Sequence, residues 1–265
     1  MIGRRASGWA GWLVLLGLTA LPLLVLGVQA IAVRWFFPDL VPRTLSGEQV
    51  RRVFTETRTV EAMTQGVVVG LVTTVVTMLL VIPGARAFAL GGVRAPTPVV
   101  FLVLVPTVVP PIALAMGLSV ATQRAGFVDG PVPVMLAHLA VTIPYAMLIL
   151  AGFLTRYDTT FEQQAVILGA SGRRVLLTVF LPLAAPGLIV SAAFAFVVSW
   201  GQYLLTLLPG GGRTITPPVL LIASASGGNP TATAALAIVT ALPPALVVLA
   251  VARHLERPLA IGARR

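Results

Sequence analysis

The chain has 265 residues, of which 57% are hydrophobic and only 10% charged, with a mean hydropathy of +0.99. A soluble domain of this size needs a charged, solvated surface, which this composition excludes. All 18 basic residues are arginine and cysteine is absent, so disulfides and thiolate chemistry are excluded, as is the phosphate-binding loop of NTPases, which ends in a lysine.

Six apolar runs follow in chain order, each about long enough to cross a hydrocarbon core of ~30 Å as a helix. The first, 9–33, is preceded by Arg4 and Arg5 and contains the weakly cleavage-like Val28-Gln29-Ala30. It is longer than a signal core, which predicts an uncleaved anchor. The second covers 63–80 or a little beyond. The third, 99–120, carries Pro106, Pro110 and Pro111, which kink or interrupt helices.

The fourth run, 132–154, places His138, Thr142 and Tyr145 at helical spacing on one face. After a polar break, the fifth, 183–207, holds Ser191, Ser199, Gln202 and Tyr203. Polar groups are costly in lipid, so such residues face a bundle interior or a water-filled path, or bond one helix to another. His138, Tyr145, Ser199, Gln202 and Tyr203 are therefore the candidate substrate-pathway residues. The stretch PGGGRTITPP at 209–218 reads as an external re-entrant loop. The sixth run, 233–251, contains Pro243 and Pro244. Continuously apolar runs favour helices over the alternating strands of a barrel. The expectation is an all-α polytopic membrane protein of about six transmembrane helices. Its expected divisions are an anchor and external loop at 1–60, a transmembrane domain at 61–255 and a basic tail at 256–265.

With the N-terminus cytoplasmic, one face carries eleven of the arginines: Arg4, Arg5, Arg86, Arg94, Arg156, Arg173, Arg174, Arg253, Arg257, Arg264 and Arg265. The other carries seven, partly balanced by Asp39, Glu48 and Glu56. The positive-inside rule then puts both termini in the cytoplasm. Scattered at helix ends without aromatic interleaving, these arginines do not form a nucleic-acid surface.

The break between the fourth and fifth runs, RYDTTFEQQAVILGASGRRVLLTVFLP at 156–182, is the most informative stretch. Thr159 with Glu162 fits a capping box, and Thr160 with Gln163 repeats it. Phe161, Ala165 and Leu168 share a helical face, with Glu162, Gln163 and Gln164 mostly elsewhere. Gly169 permits a turn, and Ser171 can cap a second helix over 173–181. Taken alone, the segment also suits an interfacial helix lying on lipid headgroups.

The same stretch resembles the cytoplasmic EAA loop of type I ABC importer permeases, the binding-protein-dependent inner membrane components. Gly169, the nine residues after it, Val179 and Leu181-Pro182 keep the family spacing, and LGAS at 168–171 and PLAAPG at 182–187 look alike. The Glu-Ala-Ala positions are instead Gln163, Gln164 and Ala165, with Glu162 one place early.

The resemblance implies a permease that forms half of a translocation pathway. Its partners would be two ATPase subunits, a second permease (the same or a homologous chain), an extracytoplasmic binding protein and membrane lipid. The chain itself would bind no cofactor, ATP and Mg belonging to the ATPase, and it would be no enzyme. ATPase coupling would fall to Phe161, Glu162, Ala165, Leu168, Gly169, Arg173 and Arg174, with the two arginines meeting acidic residues or anionic lipid. The look is nearest the polyamine, iron, sulfate and thiamine group. The rivals are a secondary transporter or channel, for which no intramembrane charge or filter motif is found, and an intramembrane enzyme built on Ser191 or Ser199 with His138, which lacks a nucleophile motif.

Overall fold

The structure is a computed structural model that describes residues 3–33, 35, 38–90 and 97–262. Arg34, Arg94, Arg264 and Arg265 of the charge balance lie outside them. The described residues form helices, with one isolated antiparallel bridge, Ala32–Leu45. Two compact units are distinguished, Met1–Glu61 with Leu220–Leu242, and Ala62–Val219 with Pro243–Arg265.

Five helical stretches are long and apolar enough to cross a membrane: Val14–Ile31, Thr57–Leu90, Pro131–Leu154, Gly172–Trp200 and Pro230–Leu255. A sixth is counted if the bent pair Phe101–Val108 and Pro111–Arg124 is one span. The third run is thus broken, with a bend of 115°. Pro111 explains it: a residue before proline is pushed out of the α region, and Pro110 sits at ψ 131°.

In the first unit, α1 (Gly3–Ile31) and α2 (Glu48–Thr55) are joined through the Ala32–Leu45 bridge. On α2, Glu48 pairs with Arg51 and Arg52 at 3.0 and 3.1 Å. The start of α12 (Pro230–Gly262) is held in the same unit, where the Thr231 hydroxyl donates to the Ala32 carbonyl at 2.9 Å.

The second unit holds most of α3 (Thr57–Leu90), α4 (Thr97–Val108), α5 (Pro111–Arg124) and α6 (Pro131–Leu154). It continues through α7 (Thr160–Ile167), α8 (Gly172–Val175), α9 (Leu181–Trp200) and α10 (Leu204–Gly210). Among the described residues α6 pairs extensively with α9. Gly187 permits it, because a Cβ there would stand 2.5 Å from the Phe153 ring. On α3, Gly66 and Gly70 admit neighbours just as closely. A Cβ would meet Pro217 at 2.6 Å from Gly66 and Phe196 at 2.8 Å from Gly70, and the Phe196 and Trp200 rings stack with centroids 5.8 Å apart. Val81, Ala85, Ala146, Leu150, Leu154, Phe180 and Ala184 form a fully buried core at one end of α3, α6 and α9.

The expected external loop is shorter than 209–218, because α10 continues through Pro209 and Gly210. Gly211 and Gly212 then turn the chain at φ 54° and 76°. The Ile215 amide donates to the Gln65 side-chain oxygen at 2.8 Å, pinning the loop. After it, α11 (Pro217–Ser226) begins at Pro217.

Candidate functional site

The segment between α6 and α9 is built on the core just described. Its capping differs from the expectation. Thr159 lies at φ −76°, ψ −8°, a helical conformation in which it makes no side-chain cap, whereas capping residues are extended. Asp158 turns the chain instead, its carboxylate accepting from the Thr160 amide at 2.9 Å. Both capping boxes are therefore corrected.

Glu162 is the deeper reason. It is the most buried residue of α7, and its carboxylate points back into the protein, where both oxygens are taken by Arg86 near the end of α3. Arg86 Nη1 donates to Glu162 Oε1 at 3.0 Å, and Nη2 pairs with Oε2. A fork on a carboxylate is among the stronger and more directional of ion pairs. The Arg86 guanidinium also lies 4.3 Å above the Phe180 ring centroid. Phe180 in turn meets Tyr157 edge-on at 5.6 Å. The buried Tyr157 hydroxyl faces Glu162 short of hydrogen-bond geometry.

Burial alone would raise the Glu162 carboxyl, but the Arg86 guanidinium, helped by Tyr157, outweighs it and holds the group below its ordinary value. Burial, then the neighbouring Glu162 carboxylate, pushes Tyr157 up to about 12. The structure thus brings together α3, the loop, α7 and the entry to α9 around one guanidinium.

Much of the rest of α7 is open. Phe161, Ile167 and Leu168, turned away from Glu162, are 54%, 83% and 87% exposed, and Val166, one turn on from Glu162, is 58% exposed; among the described residues nothing covers this apolar rim. Ala165, half-buried between Phe161 and Leu168 on the helix surface, is the recessed member of the expected face. The ion pair holds Glu162 against the protein.

Gly169 ends α7 at φ +85°. Its amide donates to the Val166 carbonyl at 2.9 Å and the Ala170 amide to the Ala165 carbonyl at 3.0 Å, the paired closure of a Schellman turn. Arg173 and Arg174 are exposed beyond it. The second helix does not stop at Pro182. Through a π-turn at Leu176–Phe180, α8 runs directly into α9.

Of the pathway candidates, His138 and Ser199 are 1% and 2% exposed. His138 Nδ1 bonds the Ser199 hydroxyl at 2.9 Å and Nε2 the Thr206 hydroxyl at 3.1 Å. With both nitrogens taken, the buried imidazole ties α6 to α9 and α10. Thr142 bonds Thr77 of α3 at 2.7 Å. Tyr145, further along the same helix, is 37% exposed and packs against Phe194 of α9 with ring centroids 5.7 Å apart. Gln202 and Tyr203 are half-buried at the α9–α10 break, where the Gln202 amide donates to the Val198 carbonyl at 2.9 Å. Arg86, Tyr157 and Phe180 were absent from the expected site. An arginine at the end of an apolar run reads only as a topology marker, and nothing in the sequence points it at α7.

The family described as the binding-protein-dependent transport system inner membrane component matches residues 87–260, a span that takes in α7, its turn and Phe180. The chain belongs to this family. It is the permease subunit of an ABC importer, of the type I kind, which sets aside the secondary-transporter and channel alternatives. Among its relatives is the trehalose transport system permease protein SugB of Mycobacterium tuberculosis, 29% identical, with 99% of each chain covered. Another is the molybdenum transport system permease protein ModB of the same organism, 32% identical over 67% of this chain and 73% of that one. The crystal structure of a bacterial ABC transporter involved in the import of the acidic polysaccharide alginate contains a chain of the same fold. It has a TM-score of 0.65 and 19% identity and covers 95% and 97% of the two chains. A permease of this family is a multi-pass membrane protein that works with an ATPase and a substrate-binding protein. Its relatives are named for a sugar and for molybdenum, so the sub-group is not fixed by likeness.

Proposed function

We propose that this permease is driven through α7, which docks its apolar rim in a groove on a separate ATPase subunit. One observation carries the reading: a two-turn helix lying between two spans shows Phe161, Val166, Ile167 and Leu168 outward while Glu162 anchors it through a forked ion pair. An apolar helix face presented on a rigid mount is the geometry of helix-in-groove recognition. Gly169 closes the helix compactly, and Arg173 and Arg174 supply charge at its edge.

In this reading ATP and Mg are bound by the ATPase, since no lysine exists here to complete a phosphate-binding loop. Two ATPase subunits, a second permease (identical or homologous) and an extracytoplasmic binding protein complete the importer. Residues 61–255 form the transmembrane permease domain, 1–60 its anchor and external loop, and 256–265 a basic tail. Both termini lie in the cytoplasm, where α7 meets the ATPase.

The test is co-purification of the ATPase subunit with the permease carrying Ile167→Asp or Leu168→Asp. Each puts a charge into an apolar groove, so the affinity falls about tenfold or more while the chain still inserts. Retention of the ATPase by both variants at wild-type yield overturns the docking assignment and leaves the rim to lipid.

A further inference from the structure

We infer that Arg86 is the positioning residue that makes α7, the second span and the entry to the fifth span move as one body. The inference rests on the docking of α7 proposed above. It concerns how a displacement of α7 reaches the membrane.

The geometry is specific. Arg86 lies near the end of α3, 76 residues before Glu162. Its guanidinium edge is taken by both Glu162 oxygens, and its face covers Phe180. Phe180 is the last residue of the π-turn through which α8 passes into α9, and it is fully buried. One planar group therefore holds three separate elements by two different interactions. Lysine could not reproduce this, since a point charge neither forks onto a carboxylate nor stacks as a plane. The Arg86 and Glu162 side chains are 32% and 11% exposed, so water screens the pair only partly.

The surroundings make the clamp stiff. Ala85, Leu154 and Phe180 are fully buried beside it, and Tyr157 closes the ring of contacts from Phe180 back toward Glu162. By contrast, α7 is short and otherwise mostly exposed. Packed interfaces switch between discrete arrangements rather than deforming continuously, so a rim pushed by a partner delivers its displacement where the helix is clamped. Without the clamp, α7 would swing on its two loops.

The experiment uses the permease in complex with its ATPase in lipid nanodiscs, with spin labels on cysteines replacing Gln163 in α7 and Leu79 in α3. The chain has no native cysteine, so within it only the two introduced positions carry labels. The distance between them is read without nucleotide and after trapping with Mg-ATP and vanadate. In the otherwise wild-type chain it changes by less than about 2 Å, the scale of small helix adjustments at packed interfaces. Arg86→Gln makes the distance nucleotide-dependent, with a larger shift or a broadened distribution, and Arg86→Lys lies between. Glu162→Gln keeps volume and an acceptor, and it supplies the same reading should Arg86→Gln fail to insert. A pair serving only to stabilise the fold would lower yield and leave the distance insensitive to nucleotide in every variant. That result overturns the inference, as does a large nucleotide-driven shift in the parent chain. An Ile167→Asp arm separates the two readings. If it leaves ATPase binding intact, the docking of α7 fails and the inference with it. If it abolishes binding while the Arg86 and Glu162 variants stay insensitive, the clamp alone fails.

Discussion

Replacing Gly169 tests whether backbone conformation, and not space, fixes this residue. Its φ is +85°, and a Cβ built there meets nothing within 4 Å. An L-residue in the left-handed region costs roughly 1–2 kcal/mol, which is about a 5–30-fold change in the closed-to-frayed ratio of the turn. Because the site is open, the penalty depends on having a side chain and hardly on its size. Gly169→Ala and Gly169→Trp are therefore expected to fray the end of α7 equally, and Gly169→Asn less, since asparagine tolerates this region. Arg173 and Arg174, exposed just past the turn, provide the assay. The rate of limited trypsin cleavage there in the isolated permease, in nanodiscs, tracks the open population. A Trp variant cleaved far faster than the Ala variant, or an Ala variant indistinguishable from the parent, would refute the argument.

Gly187 gives the opposite dependence: Gly187→Val drives a branched side chain into the Phe153 ring 2.5 Å away, and thermal unfolding in detergent should show a loss of about 1–3 kcal/mol or more, with Gly187→Ala milder. His138→Leu removes two interhelical bonds, each worth ~0.6 kcal/mol on average and up to ~1.7 in bilayers, and takes from the Ser199 hydroxyl its imidazole partner while Thr206 keeps its bond to the Gln202 carbonyl; the same assay should show a larger loss than for Ser199→Ala. The Arg86–Glu162 tie also has a signed pH dependence. Because the folded carboxyl lies below its ordinary value of 4.5, the stabilisation is complete above that value and is lost as pH falls through the depressed one. A spin label at position 163 should keep its mobility from neutral pH down to that value and loosen only below it; loosening already well above it would contradict the assignment.

The spans were legible because apolar runs need no partner to be recognised. The break at Pro110 was only half legible. Two adjacent prolines announce an interruption, but not that the halves diverge by 115°. At α7 the sequence showed the helix, the turn at Gly169 and the side carrying Phe161 and Leu168, and it misjudged the capping. Local spacing makes Thr159 and Glu162 capping partners, yet a charge-assisted fork from Arg86 outcompetes that weaker local bond. Nothing in a single sequence reveals a pairing across 76 residues. The same holds for His138. Its placement among apolar residues marked it as special, while the partners that satisfy it, Ser199 and Thr206, are set by how α6, α9 and α10 pack.

Gly66 and Gly70 on α3 spell the small-xxx-small spacing by which lone membrane helices are known to dimerise. In this chain the groove between them is already filled from within, by Pro217 against one glycine and Phe196 against the other. Searches for the seam with a second permease that start from the motif would therefore target a surface the subunit has used up on itself. Enlarging either glycine should disturb the subunit's own packing before it touches any assembly.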